Sequence, residues 1–529
     1  MTALRHSGRI GTRTRLIALL ILAGCASGGG RSEPSGFDVV EAGIPQIHAA
    51  MRAGQLTAHQ LVREYLARIE AYDKAGPALN SLITVNPRAL EVADSLDAAF
   101  AETGELTGRL HGIPVIVKDN FDTVDMPTTA GSLSLEGSVP PDDAYMVRAL
   151  REAGAIILAK SNMAEFAFSP YETVGSMLPG YTRNPYAPTR VTAGSSGGTA
   201  AAVAASLGTV GLGTDTGNSI RGPSAHTALV GIRSTMGLTS RDGIIPLYLD
   251  RDIGGPMARS VTDAAIVFDV VAGYDPADSV TALAQGRRSE DYTEFLVPDA
   301  LRGARIGVVR QLSNTAEADS EVVARFDEAL TLLRELGATT IEPAEIPQLD
   351  SLPTLYCPRF KVDIEAYLAS LGEDAPVRTL AEIIESGRYH PSIAGRLRSY
   401  SQFTTPAEDP RCVQADANAD SLRQSVRDLL WRRRLDALVF PTWSNPARLI
   451  GDLNSPDGNN SYQLSPPTGF PSITVPMGYV RDGLPVGLQF LGDAWTEWKL
   501  IALAYSYEQA TKHRRPPSMT PALPCAGGC

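Results

Sequence analysis

The stretch "GLGTDTGNSIRGPSAH", residues 211–226, is rich in glycine and carries Ser219. Glycines packed beside a serine indicate a loop whose backbone must come close to another group. A second block of glycines and serines, "TAGSSGGTAAAVAASLG", precedes it at residues 192–208. Ser195 and Ser196 stand there just before a run of small residues that predicts a helix. The two blocks therefore supply three candidate hydroxyl groups from neighbouring parts of the chain.

The residues around Ser196 fit two interpretations. In the first, the serines cap the following helix, and the glycines and alanines let neighbouring elements pack closely. In the second, Gly194-x-Ser196-x-Gly198 is a nucleophile elbow, which needs a strand before it and a histidine later in the chain. The preceding segment "RNPYAPTRVTA" contains two prolines, which disfavours a strand there. The histidines that could serve as the base have no distinguishing context: His226, His390 and His513.

Lys118 ends the apolar run in "GIPVIVKDN", residues 112–120. A lysine that directly follows five apolar residues has its stem, and in some folds its amine, in a medium of low dielectric constant. The alternatives are that the amine extends to solvent or pairs with Asp119. The residues alone leave these alternatives open.

Short apolar runs alternate with helical patterns along the chain. "IPVIV", "AIILA", "ARIGVV" and "LDALVF" predict buried strands. Thr57 is predicted to cap a first helix, and Pro87 to begin a second. This alternation predicts an α/β fold, in which a mixed central β-sheet is covered by helices on both faces. We predict one domain over residues 37–520, with an irregular insertion at 350–460 over the active site and a tail at 521–529.

Charge and composition disfavour several classes of protein. The chain of 529 residues has a formal net charge of −12, which disfavours a broad basic surface for nucleic acid. Neither CxxC nor HExxH spacing occurs, so the sequence does not predict a zinc site. We expect neither a metal nor a cofactor.

The N-terminus has the layout of an export signal. "MTALRHSGRIGTRTR" contains four arginines and no acidic residue, and the short apolar run "LIALLILAGC" follows. Leu22-Ala23-Gly24-Cys25 resembles a bacterial lipobox. We therefore predict a signal peptide over residues 1–24, lipidation of Cys25 as a membrane anchor, a flexible tether over 25–36, and a periplasmic location.

The other cysteines are even in number: Cys357, Cys412, Cys525 and Cys529. In an exported protein they could form the pairs Cys357–Cys412 and Cys525–Cys529. Free buried thiols are the alternative, and the sequence does not decide between the two.

Taken together, the motifs resemble the amidase signature family. The block "AGSSGGTAAAVAA" is followed by "GLGTDTGNSIRGPSA", and "GIPVIVKDNFDTVDMPTTAGS" resembles the family's lysine segment. "GGPMARSVTDAAIVFDVVAGYDPAD" and "GFPSITVPMGYVRDGLPVGLQFLG" resemble two further segments of the family. The resemblance extends over roughly residues 45–512 and keeps the family's order.

The resemblance implies a catalytic triad. By position, the family's lysine, bridging serine and nucleophilic serine fall on Lys118, Ser195 and Ser219. In the family the peptide bond before the bridging serine is cis, which here is the bond between Gly194 and Ser195. A neutral lysine is required, because Ser219 is a poor nucleophile until its proton is removed.

The resemblance also implies an oxyanion hole and its supports. The backbone N–H groups of Thr216, Gly217, Asn218 and Ser219 are expected to form the hole. Ser196, Asp215 and Arg221 are expected to hold the loops by hydrogen bonds and an ion pair.

Three features depart from the family's pattern. Asn218 stands where the family usually has a second glycine, although asparagine tolerates a positive φ better than most residues. "RGPSAH" replaces a more apolar stretch, and "GIRSTMG" replaces a lysine–proline version. These departures affect the expected substrate pocket and leave the triad unchanged.

The predicted function is a serine amidohydrolase that cleaves a carboxamide bond of a small molecule through an acyl-enzyme. An esterase or carbamate hydrolase, using the same triad or Ser196 with a histidine, is one alternative. Others are a component of an amidotransferase that works with a partner on charged tRNA, and a non-catalytic binding lipoprotein. The sequence does not predict an oligomeric state.

Overall fold

The predicted apolar strands lie in one mixed sheet of the computed structural model, which describes residues 36–403, 405–481 and 483–524. Its strands are β1 (Leu82–Val85), β2 (Pro114–Lys118), β3 (Ile156–Ser161), β4 (Val210–Asp215), β5 (Val230–Arg233), β6 (Ile253–Ala258), β7 (Arg305–Val308), β8 (Thr339–Ile341), β9 (Ala437–Pro441), β10 (Ser472–Val480) and β11 (Leu484–Leu491). The order across the sheet is β1-β3-β2-β4-β6-β5-β10-β11-β9-β7-β8. The predicted α/β fold is confirmed.

The α-helices of the described residues are α1 (Ile44–Arg52), α2 (Ala58–Tyr72), α3 (Ala89–Thr103), α4 (Tyr145–Glu152), α5 (Gly197–Ala204), α6 (Arg221–His226), α7 (Val261–Val271), α8 (Ser320–Glu335), α9 (Pro347–Ser351), α10 (Phe360–Ser370), α11 (Leu380–Ser386), α12 (Ala394–Ser401), α13 (Pro410–Arg432), α14 (Ser465–Thr468) and α15 (Glu497–Thr511). Thr57 caps α2 as predicted, in a reciprocal capping box with Gln60. The prediction for α3 was wrong by two residues, since Pro87 precedes its N-cap, Arg88.

The sheet is covered on both faces near β2, β3 and β4. Every residue of these three strands is buried. Because successive side chains of a strand point to opposite faces, this burial requires cover on each side. The helix α5 packs against β2 and β4 and is itself entirely buried. Its small residues are necessary for this packing, since a Cβ on Gly198 would lie 2.2 Å from the carbonyl oxygen of Asn162.

The direction of two neighbouring strands determines where functional side chains meet. β2 and β4 run parallel, and Val117 is paired with Leu212. Lys118 and Asp215 are the last residues of these strands. The carboxyl ends of parallel neighbours share one edge of the sheet, where ligands commonly bind in α/β folds. The loop that follows β4 therefore begins beside Lys118.

The segment 350–460 differs from the irregular insertion that the sequence predicts. It contains α10 to α13, of which α13 is 23 residues long. It also contains β9, a buried strand between β11 and β7. The polar composition of the helices hides their periodicity, and the apolar strand lies at the end of the segment. Part of the segment is therefore integral to the sheet.

The described residues form one compact unit, which agrees with a single large domain. Cys357 and Cys412 are joined by a disulfide bond, as one of the two sequence alternatives predicts. Within the described part of the chain, no helix is both long enough and apolar enough to span a membrane. The predictions for residues 1–24, the tether up to residue 35, Cys25, Cys525 and Cys529 lie outside the described residues, and the boundaries at 37 and 520 stay predictions.

Candidate active site

Lys118 is fully buried at the end of β2, with its amine between two hydroxyl groups. Its Nζ donates to Ser195 Oγ at 2.8 Å and to Thr214 Oγ1 at 2.7 Å. Burial lowers the pKa of this amine from 10.5 to about 7, although the negative charges of Asp252 and Asp215 oppose the shift. A substantial fraction of the amine is therefore neutral at neutral pH.

The alternative partner, Asp119, is occupied elsewhere. Its carboxylate accepts hydrogen bonds from the Thr129 hydroxyl and from the backbone N–H groups of Thr129 and Gly131. It also lies 3.8 Å from Lys160 Nζ. The pairing of Lys118 with Asp119 that the sequence left open is therefore absent from the described hydrogen bonds and ion pairs.

Ser195 follows a cis peptide bond between Gly194 and Ser195. Its hydroxyl accepts from Lys118, and its carbonyl oxygen accepts from the backbone N–H of Ala164. The structure thus brings Lys118 and Ser195 together. Among the described hydrogen bonds, none joins Ser195 Oγ to Ser219 Oγ. Catalytic hydrogen bonds are often long before substrate binds.

Ser196 connects α5 to β4. Its Oγ donates to Thr214 O at 3.2 Å and accepts from Thr214 N at 3.3 Å. No strand precedes it in residues 183–195, so the elbow geometry is not formed. His226 is buried and stacks on Trp443, with ring centroids 4.7 Å apart, and burial lowers its pKa to about 3. Within the described residues, no histidine hydrogen-bonds to Ser196.

The loop after β4 presents a row of free backbone donors. Within the described hydrogen bonds, the N–H groups of Thr216, Gly217, Asn218 and Ser219 have no acceptor, and all four residues line one cavity. Buried N–H groups are nearly always paired, so consecutive unpaired ones at a cavity wall have the chemistry that an anion site needs. This geometry is what stabilisation of an oxyanion requires.

Asp215 holds the beginning and end of this loop. Its carboxylate accepts from Arg221 Nε and Nη2, both at 3.0 Å, and pairs with Arg233 at 3.1 Å. Burial alone raises the pKa of Asp215, but the two guanidinium groups hold it at about 2. Arg221 also donates to the carbonyl oxygen of Gly217 at 2.7 Å. The loop is therefore fixed by charged hydrogen bonds in a buried setting.

The side chain of Asn218 hydrogen-bonds to two backbone carbonyl groups outside the loop that follows β4. Its Nδ2 donates to Gly194 O at 3.2 Å and to Pro170 O at 3.3 Å. An asparagine at this position thus ties the loop after β4 to the segment that carries Ser195, which a glycine could not do.

Sequence reasoning missed Thr214, Asp252 and Arg233. Thr214 immediately precedes Asp215 in β4, and its hydroxyl is the second acceptor for the Lys118 amine. Asp252 accepts a hydrogen bond from the Thr216 hydroxyl. Burial raises the pKa of Asp252 to about 6, although this hydrogen bond lowers it. The departure "GIRSTMG" is the only sequence signal for Arg233, and the parallel arrangement of β2 and β4 is needed to find Thr214.

Ser219 lies at the wall of a cavity of about 380 Å³. Aromatic side chains form much of its lining: Phe168, Tyr171, Tyr248, Tyr356, Tyr400 and Tyr462. Tyr356, Pro358, Arg396 and Tyr400 come from the segment 350–460, which therefore does line the cavity. In the described residues no cluster of three or more His, Cys, Asp or Glu side chains is arranged to hold a metal ion.

Comparison with known proteins decides the family. The family model described as Amidase matches residues 60–501. The chain belongs to the amidase family. Among its relatives, a probable amidase of Arabidopsis thaliana is 35% identical over 91% of this chain and 92% of the relative. A component of the glutamyl-tRNA(Gln) amidotransferase of a Synechococcus species is 34% identical over 91% of this chain and 94% of that protein.

A solved structure of this amidase family gives the same result. The native peptide amidase of Stenotrophomonas maltophilia superposes with a TM-score of 0.82 at 40% identity, covering 91% of this chain and 99% of that one. As an amidase, the protein is a hydrolase that acts on amides, and the predicted family and enzyme class are confirmed.

Proposed function

We propose that this amidase cleaves its substrate through an acyl-enzyme on Ser219, with Ser195 relaying the proton to Lys118. The observation that carries the proposal is the 2.8 Å hydrogen bond between Lys118 Nζ and Ser195 Oγ, at a lysine whose pKa burial lowers to about 7. An ordinary lysine titrates at about 10.4 and is protonated at neutral pH. A neutral amine, by contrast, has the lone pair that a base needs.

The reaction begins when Ser219 Oγ attacks the carbonyl carbon of the amide. Its proton passes to Ser195 Oγ, and the proton of Ser195 passes to Lys118 Nζ. The carbonyl oxygen becomes an oxyanion, which the free N–H groups of residues 216–219 stabilise. Each such donor is typically worth about 2.7–4 kcal/mol in the transition state.

The acyl-enzyme forms when the carbon–nitrogen bond breaks. The leaving nitrogen takes the proton back from Lys118 through Ser195, so ammonia or an amine departs neutral. Water then repeats the sequence on the ester of Ser219 and releases a carboxylic acid. The enzyme returns to its starting protonation state, and the net reaction consumes only the amide and one water molecule.

We propose C-terminal amides of peptides as the substrate class. The support is the 40% identity with the peptide amidase of Stenotrophomonas maltophilia, together with an aromatic cavity large enough for one or two side chains. The identity with amidotransferase components favours a second candidate, in which the same site releases ammonia for a partner. A purified chain that hydrolyses peptide amides without any partner distinguishes the first candidate from the second.

We also propose that the enzyme is an exported lipoprotein anchored through Cys25 on the periplasmic side of the membrane. The signal-like residues 1–24 support this, and so does the disulfide between Cys357 and Cys412, because such bonds persist in oxidising compartments. Mass spectrometry of the membrane fraction should find an acylated N-terminal peptide. Recovery of a chain that retains residues 1–24 without a lipid would contradict the proposal.

A panel of amide, ester and carbamate substrates tests the proposed chemistry. We expect the purified enzyme to hydrolyse acetyl-leucine amide, and Ser219→Ala to lower kcat by at least about 10³-fold, since only binding and the oxyanion donors remain. Ser196→Ala is the matched control, because among the described hydrogen bonds the Ser196 hydroxyl binds only the backbone of Thr214. Loss of all activity in Ser196→Ala with retention in Ser219→Ala would overturn the proposal.

A further inference from the structure

The cavity beside Ser219 contains one charged side chain among the described residues that line it. That side chain is Arg396, near the start of α12. The remaining lining residues are aromatic, aliphatic, proline, glycine or uncharged polar residues. A single cation in an otherwise uncharged lining makes the electrostatic potential of the cavity more positive, which favours a ligand with a negative charge.

The guanidinium of Arg396 is held in place without being neutralised. It donates to the carbonyl oxygen of Phe168, and its central carbon lies 5.6 Å from the centroid of the Phe168 ring. Phe168 in turn packs against Tyr400, with ring centroids 5.6 Å apart. Within the described residues, no carboxylate lies within ion-pair distance of Arg396. The guanidinium therefore has N–H donors left for a ligand.

We infer that Arg396 determines specificity by binding a carboxylate of the substrate, separate from the amide that is cleaved. This inference rests on the proposed function, because it names which peptide amides the site takes. Because Arg396 and Ser219 line the same cavity, we place the preferred acidic side chain on the residue next to the one that bears the amide. A guanidinium recognises a carboxylate through two parallel hydrogen bonds, whereas a neutral amide of the same shape offers one acceptor oxygen.

The test compares acetyl-Glu-leucine amide with acetyl-Gln-leucine amide, which have the same shape and differ in charge. Binding is measured by calorimetry in the Ser219→Ala background, so that the result does not depend on turnover. We expect the Glu peptide to bind about 2- to 5-fold more tightly, the scale of an ion pair at an exposed guanidinium. The difference should shrink in 1 M NaCl, where charges are screened.

The chain offers a matched control for the variant. Arg396→Gln should abolish the preference for the Glu peptide, and Arg396→Lys should keep part of it because the charge remains. Arg398 is exposed on the same helix two residues later, and does not line the cavity. Residues two apart on a helix face different directions, so Arg398→Gln should keep the preference.

Equal affinity for the two peptides, or no detectable binding of either, would overturn the inference. A preference that survives Arg396→Gln would overturn it as well. Hydrolysis tests the proposed function separately from binding. If the proposed function is correct, the wild-type enzyme hydrolyses the neutral Gln peptide whatever the result for Arg396.

Discussion

At the scale of single residues, the burial of Lys118 determines how much of its amine is neutral at a given pH. The pKa of the amine lies at about 7 because burial disfavours its charged form. In the proposed mechanism, only the neutral amine can accept the proton that Ser195 relays. We therefore predict that kcat/KM rises as pH increases through about 7 and then levels off, which a pH profile on acetyl-leucine amide measures.

Replacement of Lys118 tests this assignment. Lys118→Met keeps an unbranched buried side chain but removes the proposed base, and should lower kcat/KM at pH 7 by about 10²–10⁴-fold. The inflection near pH 7 should disappear, and activity should rise only as hydroxide becomes available. Lys160→Met is the matched control, since Lys160 is equally buried on β3 but donates to Phe121 O and Thr128 Oγ1. A Lys118→Met enzyme with an unchanged pH profile would exclude Lys118 as the base.

The sequence predicts the residues of the triad but not all of their partners. Lys118, Ser195 and Ser219 are identified from motifs whose order the family keeps, and the structure brings Lys118 to Ser195. The hydrogen bonds of the Asn218 side chain could not be predicted, because the residues that accept them, Gly194 and Pro170, lie 24 and 48 positions earlier in the chain. A contact between two segments depends on how the chain folds, whereas a motif can be recognised from the spacing of residues along the sequence.

At the scale of secondary-structure elements, one disulfide bond connects the wall of the cavity to α13. Cys357 lies between Tyr356 and Pro358, which both line the cavity, and its partner Cys412 is in the first turn of α13. The bond closes a loop of 55 residues. A loop of this length is expected to stabilise the folded state by about 4 kcal/mol in the chain-entropy account.

We predict that reduction of this bond weakens substrate binding more than it slows chemistry. Dithiothreitol should lower the melting temperature and raise KM, because the wall loses its attachment, while kcat changes little because Lys118 and Ser195 lie on other segments. Thermal denaturation and steady-state kinetics measure both effects. The control is Cys412→Ala, which should already show the high KM and should not respond to dithiothreitol. An unchanged KM in Cys412→Ala would contradict the prediction.

The sequence predicts elements unevenly. The four apolar runs named above all form strands, because a buried strand reads as a short continuous run of apolar residues. The helices of the segment 350–460 escaped prediction, since α13 has a polar composition and its buried residues, such as Leu422 and Val426, are few. The position of β9 inside the sheet is a property of topology that no local pattern encodes.

At the scale of the whole molecule, the sheet order makes the last third of the chain indispensable. β7 and β8 join the rest of the sheet only through β9, β11 and β10, as far as the described residues show. We predict that a fragment ending at residue 340 is insoluble or unfolded, because it loses the three strands that connect the two parts of the sheet. Circular dichroism of the purified fragment measures this. A stable and active fragment would contradict the single-domain account.

Covalent labelling by an active-site phosphonate identifies the nucleophile directly. We expect peptide mass spectrometry of the labelled wild-type enzyme to find the adduct on Ser219. Labelling should be lost in Ser219→Ala and strongly slowed in Lys118→Met. No histidine should be required, so His226→Asn should still be labelled if it folds. An adduct on Ser196, or labelling that persists in Ser219→Ala, would contradict the account.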